Sequence, residues 1–186
     1  MKNKIAVFVC GSGGAGKSTF IKNNLNTFVH IDVDIAYEKL LIESGLGLKI
    51  IDFDEEKTKY SYLLFEKAKI QNDDLFYNSV SNSKNIVIDG IGRDSNIILN
   101  QRKYLENFGY NTFMIMIYVD LNLCIDRVKS RERVYNQSIT EDSWYLSYNN
   151  IGTYKKEFGD RFTLIYNNNK FELDDFIKLK DNKNLI

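Results

Sequence analysis

The chain has 186 residues, 44% of them apolar and 13% aromatic, enough for one well-buried domain and too short for two comfortable ones. Its 25 basic residues balance 25 acidic ones, so no overall field draws it toward nucleic acid or membrane, and no apolar run nears the ~20 residues that span a bilayer. One histidine (His30) and two distant cysteines (Cys10, Cys124) cannot assemble a structural zinc site, and no nucleophile elbow supports a serine hydrolase.

In chain order, Met1-Lys2-Asn3-Lys4 runs directly into a short apolar segment without a signal-cleavage pattern, which leads us to expect a cytoplasmic protein. Residues 5–10 read as a buried strand. Next comes Gly11-Ser12-Gly13-Gly14-Ala15-Gly16-Lys17-Ser18, which satisfies G-x-x-x-x-G-K-[ST] at every fixed position. Thr19 continues into a helix predicted over 17–24. A strand, a glycine-rich loop and a helix in this order aim backbone N–H groups and a positive helix terminus at a polyphosphate. The expected ligand is a nucleoside triphosphate with Mg²⁺. Lys17 reaches the β- and γ-phosphates in such a loop, and the Ser18 hydroxyl joins the metal's coordination shell.

The second strand, 28–31, runs into Ile31-Asp32-Val33-Asp34, and a helix is expected over 35–44. A long helix over 55–81 carries Tyr60, Tyr62, Phe65, Phe76 and Tyr77, which either fill the core or stack on a base. A third strand over 85–89 ends in Asp89-Gly90-Ile91-Gly92-Arg93-Asp94 and precedes a helix over 95–108. The fourth strand, 113–119, leads to a helix over 122–133 with Arg127, Arg131 and Arg133, then a polar stretch to residue 142. A helix over 143–158, a strand over 162–166, an Asn167-Asn168-Asn169 turn, a helix over 173–179 and a tail from 180 complete the chain. Wholly apolar strands alternating with helices predict an α/β fold with a parallel sheet covered on both faces. We read one domain over 1–186, with no repeat or linker.

Ligands of such sheets bind at the carboxyl ends of the strands, where acidic residues collect here. Transfer of a phosphoryl group to a hydroxyl needs a phosphate cradle, a metal, positive charge and a base. Asp34 and Asp32 are the candidate bases, Asp34 preferred because it lies further beyond the strand; each could instead cap the next helix. Asp89 suits the Mg²⁺ shell or the acceptor, and Arg93 a substrate phosphate. Arg127, Arg131 and Arg133 suit a lid over about 127–142 that neutralises the transferred group.

These motifs resemble the zeta-toxin and polynucleotide-kinase branch of small P-loop kinases, as many bacteriophage kinases do. The resemblance rests on Gly11–Ser18, Asp32-Val33-Asp34, Asp89-Gly90-Ile91-Gly92-Arg93 and the three arginines, and spans most of the chain. It implies five parallel strands in the order 2-3-1-4-5, ATP or GTP with Mg²⁺, and an Asp base at the position of Asp34. Asp89 stands where the family has Glu. Ile91 replaces a Thr that helps zeta toxins hold a sugar nucleotide. The expected activity is therefore γ-phosphate transfer to a hydroxyl of a nucleotide, a polynucleotide or a modified DNA base. Kinases of a UDP-sugar or of a nucleoside monophosphate, and a non-catalytic NTP switch, are the alternatives.

Overall fold

A computed structural model describes residues 4–131 and 137–168. Five strands, β1 (Lys4–Cys10), β2 (Val29–Ile31), β3 (Ile86–Gly90), β4 (Tyr110–Tyr118) and β5 (Phe162–Tyr166), form one parallel sheet in the order β2-β3-β1-β4-β5. Parallel neighbours require crossover connections. Here these contain α1 (Lys17–Asn24), α2 (Val33–Glu43), α3 (Glu55–Ser81), α4 (Ser95–Asn107), α5 (Leu121–Lys129), α6 (Gln137–Tyr148) and α7 (Ile151–Phe158).

Side-chain alternation along β1 divides the core. Ala6, Phe8 and Cys10 pack with Phe76 and Val80 of α3, Ile98 and Leu105 of α4, and Tyr154 and Phe158 of α7. Val7 and Val9 point the other way, onto Phe20 and Ile21 of α1 and Cys124 of α5. Both faces are thus covered, which is why the strands read as unbroken apolar runs. A smaller cluster of Tyr37, Leu40, Leu41, Leu64 and Ala68 joins α2 to α3. Of the α3 aromatics, Phe76 is core and Tyr60, Tyr62 and Tyr77 are exposed.

Several elements differ from expectation for identifiable reasons. The helix expected over 143–158 is two helices, parted at Asn149 and Asn150. The Asn150 amide donates to the carbonyls of Leu146, Gly92 and Arg93 (3.2, 3.1 and 2.8 Å), a side-chain alternative to continuing the helix. The helix expected to reach residue 133 stops at Lys129, where the Ser130 hydroxyl turns back onto the Arg127 carbonyl. Arg127 and Arg131 therefore do not share one helical face. Strand β4 begins three residues early, at Tyr110, whose ring is buried and whose hydroxyl donates to Lys84 O at 2.8 Å. Arg133, the expected helix over 173–179 and the tail lie outside the described residues, as does part of the expected lid.

Candidate active site

Strand register decides which chain segments meet. Cys10 at the end of β1 pairs with Gly90 of β3, and Ile31 at the end of β2 pairs with Ile88. The phosphate-loop sequence, Asp89 and Asp32 therefore emerge side by side from the same sheet edge.

The loop from Gly11 to Gly16 is clamped from beneath. Its Ser12 side chain is fully buried and meets the Tyr148 hydroxyl (3.1 Å) and the Cys124 thiol (3.4 Å), instead of facing outward. The Cys124 thiol also donates to Gly13 O at 2.6 Å, Arg127 Nη1 to Gly14 O at 3.2 Å, and Asn167 Nδ2 to Ala15 O at 2.8 Å. Tyr148 donates its own proton to Ile117 O at 2.9 Å. With these carbonyls bound from below, the backbone is held in the left-handed conformations of Gly14 (φ 81°) and Gly16 (φ 94°). A Cβ on Gly14 would come within 2.9 Å of Cys124 O, so no larger residue fits. Both thiols are buried and unpaired to one another, and burial pushes Cys10 up to about 12 and raises Cys124 as well. They serve as packing and as a hydrogen-bond donor, not as nucleophiles.

Lys17 opens α1 and folds back, donating to Gly11 O (2.9 Å) and Ser12 O (3.2 Å), with Asp89 Oδ1 3.9 Å away. Ser18 and Thr19 are exposed on the first turn of α1. The Asp89 side chain is only 4% exposed, and its Oδ1 has no hydrogen-bond partner. Its Oδ2 lies 3.4 Å from His30 Nε2, which is itself 3.8 Å from Asp32 Oδ2. Burial, then the charges of Asp89 and Asp34, push Asp32 up to about 6 against the Asp34 N–H bond and His30. Burial disfavours the charged imidazole of His30, yet Asp89 and Asp32 outweigh it and raise that group too.

Asp32 is the N-cap of α2, accepting from Asp34 N at 2.8 Å, so the capping role open to it is filled. Asp34 is exposed one step inside that helix. Arg93 is exposed after β3, while Arg127 rests on the loop backbone and Arg131 is exposed just past α5. The Asp89-to-Arg93 turn is held by α6 and α7. Ser147 donates to Ile91 O at 2.7 Å, and Tyr154 and Asn150 both donate to Gly92 O. Gly92 is required at φ 72°, since a Cβ would meet Cys10 Cβ at 2.9 Å. Six site residues escape sequence reasoning: His30, Ser147, Tyr148, Asn150, Tyr154 and Asn167. Only Asn167 had a local signal, the Asn run after the last strand.

A 2-3-1-4-5 parallel sheet with this loop after β1 defines an ATP-binding P-loop kinase fold. The model of the zeta toxin family matches residues 1–186, and the chain belongs to that family. No curated protein matches the sequence. Among solved structures, the chain is similar to a candidate kinase from Chloroflexus aurantiacus, at 11% identity and TM-score 0.66 over 97% of this chain and 98% of that one. It is also similar to the PezAT toxin–antitoxin system of Streptococcus pneumoniae, at 18% identity and TM-score 0.62 over 94% and 77%. AvrRxo1-ORF1:ORF2 with ATP aligns at 14% identity and TM-score 0.69, covering 88% of this chain and 55% of that one. At these identities the structures speak for the fold. No helix among the described residues is long and apolar enough to cross a membrane.

Proposed function

We propose that the chain is an ATP-dependent kinase that moves the γ-phosphoryl group onto a hydroxyl of a nucleotide, a polynucleotide or a modified DNA base, with Asp34 as the base. The observation that carries this reading is the side-by-side emergence of the phosphate lysine, Asp89 and the two carboxylates after β2 from one sheet edge. An acceptor phosphate would need no base, whereas a hydroxyl does. Asp32, its Oδ1 engaged as the cap, fixes the first turn of α2 and so presents Asp34.

In this reading the loop amides from Gly11 to Thr19 bind the phosphates, with Gly13, Gly14, Ala15 and Gly16 supplying backbone and Lys17 moving from its own loop carbonyls onto the β- and γ-oxygens. Ser18 and Asp89 fit a magnesium ion: a buried carboxylate oxygen without a hydrogen-bond partner and an exposed hydroxyl suit a hard cation. Bound there, Mg²⁺ would supply charge neutralisation for the phosphates. Arg127, through Gly14 O, positions the loop, and Arg131 and Arg133 supply charge to the moving group. Arg93 and Asp32 flank the acceptor. GTP could replace ATP without changing these roles. Membership of the zeta toxin family supports a second reading, a UDP-sugar acceptor, against which the apolar Ile91 counts.

Transfer from γ-labelled ATP with Mg²⁺ into DNA, RNA, nucleosides, nucleoside monophosphates and UDP-N-acetylglucosamine tests both. Label in a nucleoside, nucleotide or nucleic-acid hydroxyl, lost in Asp34→Asn, is the expected result. Label in the sugar nucleotide would install the second reading. Label on a monophosphate with Asp34→Asn still active would remove the base. Nucleotide binding without transfer to any acceptor would make the protein a switch.

A further inference from the structure

We infer that His30, Asp32 and Asp89 form a binding site for a divalent transition-metal ion, such as zinc, cobalt or manganese, distinct in donor chemistry from a magnesium site. One donor atom from each residue lies within 4.8 Å of the others. His30 Nε2 is 3.4 Å from Asp89 Oδ2 and 3.8 Å from Asp32 Oδ2. Neighbouring ligands of a tetrahedral ion with bonds of about 2.1 Å stand about 3.4 Å apart. The donors thus approach the spacing of an occupied site, and small side-chain rotations would close the remainder.

A second observation separates this cluster from an ordinary acidic edge. The Asp89 side chain is 96% buried by its 4% exposure, and both Asp89 Oδ1 and His30 Nε2 are buried without a hydrogen-bond partner. Buried polar atoms nearly always find partners, and His30 Nε2 faces only two carboxylate oxygens, Asp89 Oδ2 and Asp32 Oδ2, without hydrogen-bonding to either. The two Asp89 oxygens also face different neighbours, Oδ1 toward Lys17 Nζ at 3.9 Å and Oδ2 toward His30. A cation between His30, Asp32 and Oδ2 therefore need not displace the lysine.

Donor type sets the choice of ion. Magnesium takes oxygen ligands and keeps most of its waters, whereas an imidazole nitrogen beside two carboxylates suits zinc, cobalt or manganese. Strand β2 and the β2–β3 register build the cluster without help from nucleotide. The inference therefore stands apart from the kinase reading and is tested in the absence of ATP.

Because His30 is the only histidine, the full-length protein without an affinity tag carries a built-in reporter. Its imidazole nitrogen resonances are to be followed by NMR as Zn²⁺ alone is added to metal-free protein. The expected result is a large shift of Nε2, complete at one equivalent and unaffected by excess Mg²⁺. Asp32→Asn and Asp89→Asn should each weaken Zn²⁺ binding about tenfold or more. His30 resonances that stay in place, or that respond equally in both variants, would overturn the site. Equal displacement by Mg²⁺ would overturn the selectivity.

Discussion

Lys17 rests on its own loop, donating to Gly11 O and Ser12 O. Those contacts are ones a phosphate can replace, which makes the resting position a store of donors and not a finished structure. Lys17→Ala should lower kcat by more than a hundredfold, on the order of 3 kcal/mol of lost charge stabilisation. Single-turnover transfer measures it, and near-normal turnover would show the site to be misplaced. Lys17 is legible because the pattern that marks it is eight consecutive residues. His30 is not: its neighbour Asp89 is 59 positions away by subtraction, and only the β2–β3 register joins them. Asp32 lies between these cases, readable as a helix cap from the chain but not as the neighbour of a buried carboxylate.

Elements matter here chiefly through what they place beneath the loop. Helix α6 brings Tyr148 to Ser12 and Ile117, and α5 brings Cys124 to Gly13. Removing the hydroxyl in Tyr148→Phe leaves Ile117 O without this donor, a cost of about 1–2 kcal/mol in stability. We expect a lower Tm together with weaker ATP binding, while Tyr145→Phe, on the exposed side of α6, changes neither. Calorimetry and nucleotide titration of the two variants make the comparison. Equal effects would deny α6 its place under the loop. The helices were legible from apolar spacing. The break at Asn150 was not, because its cause is three carbonyls, two of them in the turn after β3.

For the whole molecule, titration ties stability to the acidic edge. Asp32 (about 6) and His30 both have raised values, so the folded state holds protons that the unfolded chain has released. The sign follows from linkage. The stabilisation from His30 is complete where the unfolded imidazole is charged and is lost as pH rises through its folded value; the cost of ionising Asp32 accrues as pH rises from the ordinary carboxyl range to about 6 and is constant above it. Glu106 acts oppositely. Burial alone would raise it, but Thr112 and Arg102 hold it low, so its contribution is lost on acidification. Tm should therefore peak near pH 5 and fall toward pH 8, and Asp32→Asn should flatten the part of that fall below about pH 6. A wild-type Tm that rises from pH 5 to 8 would contradict the assignment. At this scale the parallel sheet was readable from five apolar strands. The order 2-3-1-4-5 came with the family resemblance, since no single strand states its neighbours.

The amide of Asn167 that holds Ala15 O belongs to the end of the last strand, 152 positions after the loop it supports. A ribosome finishes the nucleotide motif long before it reaches the clamp beneath it. Until Phe162–Tyr166 has docked beside β4, a growing chain carries every letter of the phosphate-binding pattern without its full foundation. Synthesis itself thus delays the competent state. A premature stop before this strand leaves a polypeptide whose phosphate motif is intact and whose signature loop lacks this support.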